Sequence, residues 1–159
     1  MLVVKHKVKT TLPIIDVAED TIVFKEGGQD RRMFLVLEGS VKLYNEVDEK
    51  EVEVAVVKKH QFFGEIEMYV DKPRSASARV LTNAKLVVIR SPKELEHFAN
   101  DNHWLTGTMM ETMGERQLET NALLAAKILS APVPVTEFDK NTGKELHGES
   151  VEIVKISKQ

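Results

Sequence analysis

The fold class this sequence predicts is mainly β, an antiparallel sandwich or roll followed by helices, and three observations predict it. From Leu12 to Arg90, short apolar runs rich in Val, Ile, Phe and Leu alternate with turns, the signature of closely spaced strands. At Ser91-Pro92-Lys93-Glu94 that pattern gives way to a helix start. From His103 to Leu129 the chain then keeps a helical period over enough residues for about 40 Å of helix at ~1.5 Å per residue.

The strands are expected at Pro13–Val17, Thr21–Phe24, Met33–Leu37, Val41–Asn45, Val52–Val57, Ser75–Val80 and Leu86–Ile89. Gly27 and Gly39 read as turn formers, because glycine reaches positive φ at little cost. Acidic Glu46-Val47-Asp48-Glu49-Lys50-Glu51 reads as a solvated hairpin tip, whose charge also discourages edge pairing. Ser91 at N-cap, Pro92 at N1 and Glu94 at N3 form a capping box, so a short helix runs to about Ala99. Asp101 or Asn102 then caps the long helix. Met109, Met113, Arg116, Thr120 and Leu123 are offset by 0, 4, 7, 11 and 14, a packing stripe. Gly114 inside that helix costs about 1 kcal/mol relative to alanine, which a close neighbouring backbone would explain. Ala131-Pro132-Val133-Pro134 ends the helix. The organisation expected is a roll with its helices over 1–130 and a tail over 131–159 carrying one or two strands, at Val135–Phe138 and Val151–Ile156.

Bulk properties narrow the function. The 159 residues are 42% hydrophobic and 30% charged, enough to bury a core. A net charge of −3 gives no general drive toward nucleic acid or anionic membrane, so any anion site must be local. With no cysteine there is no thiolate cluster, disulfide or thiol switch, which fits a cytoplasmic protein. No apolar run reaches the roughly 20 residues of a membrane helix, and the N-terminus lacks a signal-peptide pattern. Of the five histidines only His60 falls in the β region, and none stands at metal-ligand spacing with a carboxylate. No nucleophile elbow or His–carboxylate arrangement is present either. The expectation is a non-catalytic protein without metal or cofactor.

The chemistry concentrates in Phe63-Gly64-Glu65-Ile66-Glu67-Met68 and Pro73-Arg74-Ser75-Ala76. A glycine lets backbone N–H groups approach a phosphate closely. An arginine forks onto two phosphate oxygens. A carboxylate accepts from a ribose hydroxyl. The bland reading is that Glu65 and Arg74 form a surface ion pair with no ligand.

These residues resemble the phosphate-binding cassette of cyclic-nucleotide-binding domains, the family of the bacterial catabolite activator and the regulatory subunits of cyclic-AMP-dependent kinase. Ile22-Val23-Phe24-Lys25-Glu26-Gly27-Gly28 and Met33-Phe34-Leu35-Val36-Leu37-Glu38-Gly39-Ser40-Val41-Lys42-Leu43-Tyr44 resemble the family's upstream strands and glycine turns. The resemblance extends over about residues 15–125. It implies an antiparallel β-roll of jelly-roll type with short flanking helices and a long C-terminal helix that often forms a dimer seam. It also implies a regulatory module for cyclic AMP, or less readily cyclic GMP, that signals to an effector protein. Ser75 after Arg74 is closer to the bacterial cyclic-AMP receptors than to the threonine of cyclic-GMP-selective members. The implied ligand contacts are Phe63, Gly64, Glu65, Ile66, Arg74, Ser75 and Ala76, with Thr120 and Asn121 toward the base. The family's transcription factors carry a helix-turn-helix after the long helix. The 29 residues from Ala131 show no such pattern, so DNA binding of that kind is not expected. Glu67 departs from the family, which has a small residue there. Its side chain either turns to solvent or pairs with a lysine such as Lys72, and its charge opposes an anion. The alternative function is therefore a ligand-free roll acting as a dimerising interaction module. A cupin-type metal enzyme is more distant.

Overall fold

Met33, Phe34, Leu35 and Val36 are four consecutive residues and all are buried. A strand does this only when both of its faces are covered. The computed structural model describes residues 6–130, 137–138 and 145–146, with backbone alone for 119–121, 123–130 and the two terminal pairs. The chain forms two units, Met1–Arg116 and Gln117–Gln159.

In the first unit the strands are β1 (Ile14–Val17), β2 (Ile22–Phe24), β3 (Met33–Val47), β4 (Lys50–Val57), β5 (Phe62–Phe63) and β6 (Ser77–Ile89). They make one antiparallel sheet in the order β1-β6-β3-β4, with β2 added on β6 and β5 on β3. The helices are α1 (Glu65–Tyr69), α2 (Pro92–Asp101) and α3 (His103–Ser130). Alternation along β3, β5 and β6 divides the apolar residues between two cores. Phe34, Val36, Phe63, Leu86 and Val88 fill the inside of the roll. Met33, Leu35, Phe62, Val87 and Ile89 pack outward on Leu95, Phe98 and Leu105 of the helices.

Two corrections to the strand expectations have one cause. Met33–Leu37 and Val41–Asn45 are a single strand, as are Ser75–Val80 and Leu86–Ile89 apart from Ser75 and Ala76. Gly39 does not end β3. It sits at φ 81° among three register shifts against β6, so it bends the strand as a bulge. A Cβ at Gly39 would collide with the carbonyls of Asn83 and Thr82. The expected acidic tip, Glu46–Glu51, turns only at Asp48 and Glu49, both at positive φ (51° and 62°) as in a two-residue hairpin, while its flanking residues extend β3 and β4.

Ser91 caps α2 by accepting from the Glu94 backbone N–H (3.2 Å). The Glu94 carboxylate reaches the N–H of Arg90 (2.8 Å), one residue before the cap. Asn102 does not spend its side chain on α3. It accepts from the Lys9 N–H (2.8 Å) and donates to the carbonyls of Lys9 (2.7 Å) and Phe98 (2.8 Å), pinning the N-terminal segment to the end of α2. The inner side of α3 carries Leu105, Met109, Thr112 and Arg116; of the expected stripe Met109 and Arg116 face inward, Met113 is 45% exposed, and the side chains of Thr120 and Leu123 lie outside the described residues. A Cβ on Gly114 would meet nothing within 4 Å, so close backbone approach does not explain that glycine. In the second unit β7 (Glu137–Phe138) pairs antiparallel with β8 (Glu145–Leu146). The expected strand Val151–Ile156 lies outside the described residues.

Candidate functional site

Gly64 closes β5 and opens α1 in the left-handed conformation (φ 79°, ψ 14°). Any side chain there would be strained, and its Cβ would lie 2.8 Å from Arg74 Nη1 and 2.9 Å from the Arg32 carbonyl oxygen. The glycine is thus required by the arginine as well as by the turn. The backbone of Arg74 is clamped by the upstream glycine turn: its N–H donates to the Gly28 carbonyl and its carbonyl accepts from the Gly27 N–H, both at 2.8 Å.

The Arg74 side chain is 0% exposed. Nη1 donates to the Gly64 carbonyl (3.1 Å) and to Glu67 Oε2 (3.0 Å). Nη2 donates to the Arg32 carbonyl (2.5 Å) and lies 3.8 Å from Asp30 Oδ1. The guanidinium stacks 3.9 Å from the centre of the Phe24 ring, a cation–π contact. Its Nε has no hydrogen-bond partner among the described residues. Arg32 holds Asp30 in turn (2.8 Å). Burial pushes the Asp30 carboxyl up, but hydrogen bonds from Arg32 and the charges of Arg32 and Arg74 outweigh it and hold the group below its usual range.

Glu67 is buried and its two oxygens are divided. Oε1 accepts from the Ser75 backbone N–H (3.0 Å) and hydroxyl (2.9 Å), and Oε2 accepts from Arg74. Burial alone would raise its pKa. The hydrogen bonds from the Ser75 backbone, its own backbone, the Ser75 hydroxyl and Arg74 together hold it below the ordinary carboxylate value. Glu65, also buried, accepts from Arg116 Nη1 of α3 (3.1 Å), and Arg116 Nη2 donates to the Phe62 carbonyl.

These pairings correct two expectations. Glu67 neither turns to solvent nor meets Lys72; it reaches Arg74 and Ser75 because the first turn of α1 points it inward. Glu65 does not pair with Arg74 but with Arg116. Among the other predicted residues, Gly64, Arg74 and Ser75 converge on this one place. Phe63 is fully buried as roll core, Ala76 is half-buried, and Ile66 is 56% exposed at the rim. The side chains of Thr120 and Asn121 lie outside the described residues. Sequence reasoning missed Phe24 and Asp30 as Arg74's supports; Phe24 reads only as part of the upstream strand and Asp30 falls in no motif. His60 stands edge-on to Trp104, with its pKa lowered by burial and then by the charge of Lys59. Among the described residues no group of three His, Asp or Glu could hold a metal.

A family model described as cyclic nucleotide-binding domain matches residues 14–101, which hold every strand of the roll, the cassette and α2. This chain belongs to that family. The cyclic nucleotide-binding domain is a regulatory, non-catalytic one. Solved structures similar to it include the c-di-GMP-responsive global regulator CLP of Xanthomonas campestris. That likeness is at 21% identity and TM-score 0.61, covering 72% of this chain and 58% of that one. The heme domain of CooA from Carboxydothermus hydrogenoformans matches at 12% identity and TM-score 0.61, covering 74% and 82%. The EAL enzyme Bd1971 in its cyclic-AMP-bound form matches at 23% identity and TM-score 0.50, covering 75% and 33%. At these identities the likeness establishes the β-roll fold. No curated protein matches the chain. Among the described residues no helix is long and apolar enough to cross a membrane.

Proposed function

We propose that this domain binds a cyclic purine mononucleotide, cyclic AMP in preference to cyclic GMP, and relays occupancy to a partner. The observation that carries the reading is the convergence of a buried, always-charged arginine with the N–H and hydroxyl of Ser75 on a single anionic group. Three such donors beside a left-handed glycine suit a singly charged phosphodiester. Glu65, at the other end of the cassette, suits a ribose 2′-hydroxyl. Ser75 after Arg74 supports the adenine ligand by family resemblance. Bd1971, whose fold is similar, has both a cyclic-AMP-bound and a cyclic-GMP-bound form, which supports a cyclic purine nucleotide in general.

The relay follows from Arg116. It ties α3 to Glu65 and to the carbonyl of Phe62, so a ligand that recruits Glu65 changes what α3 is fastened to. A shift in the population of α3 positions is then read by a second subunit or an effector protein in the cytoplasm. Calorimetric titration of the purified protein with cyclic AMP and cyclic GMP tests the reading. Saturable heat with a preference for cyclic AMP is the expected result.

One observation favours a second reading. Glu67 already satisfies Arg74 and Ser75 from within. A roll so closed could serve as a dimerising interaction module without ligand. Absence of both heat and thermal stabilisation at millimolar nucleotide selects that reading.

A further inference from the structure

We propose that Glu67 is an internal surrogate for the ligand's phosphate, and that nucleotide enters by displacing its carboxylate from Arg74 and Ser75. The inference rests on the cyclic-nucleotide reading and adds a named competitor to it. A carboxylate and a cyclic phosphodiester present the same face: one negative charge and two acceptor oxygens. In this structure one Glu67 oxygen takes both donors of Ser75 and the other takes Arg74 Nη1. Those three donors are the groups a phosphate would need. The Arg74 guanidinium is fully buried, and Asp30 is 3.8 Å away on its other side. An empty seat would leave that charge with only the more distant Asp30, which Arg32 already holds, so the seat favours an anion.

The exchange needs little rearrangement. Glu67 lies on a helix of five residues, and its side chain turns about three bonds. Ser75 and Ile66 beside it are exposed, which gives the displaced carboxylate a route to water. Arg74 keeps an anionic partner throughout, so no isolated buried charge is created. The measured affinity is the intrinsic affinity multiplied by the fraction of molecules whose seat is open. Glu67 thereby sets the nucleotide concentration at which the domain responds. It also disfavours a phosphomonoester, whose second charge would meet the displaced carboxylate.

Full-length wild type, Glu67→Ala and Glu67→Gln are titrated with cyclic AMP and cyclic GMP. Removing the competitor should tighten binding by roughly tenfold or more in Glu67→Ala, with a smaller gain in Glu67→Gln, whose amide oxygen still accepts from Ser75. Binding by a variant when wild type binds nothing would mean that nucleotide cannot displace Glu67, which overturns the proposal and selects the ligand-free module. Wild-type binding that both variants match or lose overturns it and leaves the cyclic-nucleotide reading standing. Failure of all three proteins to bind overturns both. Should Glu67→Ala be too unstable to titrate, thermal melts replace calorimetry. Cyclic nucleotide should then raise its melting temperature by more than wild type's. A variant melting temperature that nucleotide leaves unmoved counts against the surrogate.

Discussion

Arg74, the proposed phosphate ligand, is also a piece of the core. Its side chain joins β2 through Phe24, the Asp30–Arg32 segment before β3, Gly64 and α1. Arg74→Ala should therefore do more than abolish nucleotide binding. It strands Glu67 without its cation and should cost about 3–5 kcal/mol of stability, measured by urea unfolding. A loss under about 1 kcal/mol would mean the pair behaves as a surface one. Acid should act on the same cluster. Glu67 and Asp30 are both held below their ordinary pKa values of 4.5 and 3.8. A carboxyl with a depressed folded value stabilises fully above its unfolded value and loses that contribution as pH falls through the folded one. Melting temperature should thus fall steeply below about pH 4.5, and Glu67→Gln should flatten part of that fall. An identical acid limb in wild type and variant would remove Glu67 from the account. That Gly64, Arg74 and Ser75 come together was legible in the sequence, because a glycine turn, an arginine and a small hydroxyl residue stand in one short cassette. Which carboxylate reaches the guanidinium was not. Glu65 and Glu67 stand two apart on α1, and only the orientation of its first turn sends one to Arg116 and the other to Arg74.

Elements were legible where local chemistry decides them. Ser91-Pro92-Lys93-Glu94 starts α2 because serine caps and proline suits N1, and the structure begins the helix there. Strand length was not legible, since a glycine that reads as a turn can equally make a bulge. Gly39 does the latter because β6 offers it a continuous partner, and pairing with a distant strand leaves no local mark. The short α1 was missed for a related reason: its five residues are too few for a period, and Glu65, Glu67 and Met68 are buried by tertiary packing. Thr112 stands where Met113 was expected because both fit a helical spacing with Met109, and burial, not spacing, selects Thr112. Gly114 offers a test at this scale. Nothing lies within 4 Å of the Cβ it lacks. Gly114→Ala should therefore stabilise the protein by up to about 1 kcal/mol in denaturant unfolding, through helix propensity alone. A destabilised variant would show that α3 needs that position bare, as a contact with another chain would require.

At the scale of the whole molecule, the proposed relay from the roll through α3 requires something for α3 to act on. Met110 is 71% exposed and Met113 45%, three residues apart and so neighbours on one face of α3. Long apolar side chains grouped in this way are a surface for association, while Met109 and Arg116 are turned to the roll and do not contribute. A homodimer through α3 is the expected state. The seam should be moderate in strength, since flexible methionines pack adaptably rather than rigidly. Sedimentation at micromolar concentration should give about twice the 17.9 kDa chain mass. Met110→Glu together with Met113→Glu should shift the protein toward monomer. The roll should stay folded, because neither residue belongs to its two cores. If nucleotide works through Glu65 and Arg116, saturating cyclic AMP should move the dimer constant of wild type, and Arg116→Ala should uncouple the two. A wild-type monomer at tens of micromolar would assign the exposed methionines to an effector protein, and the relay would then be sought in that complex.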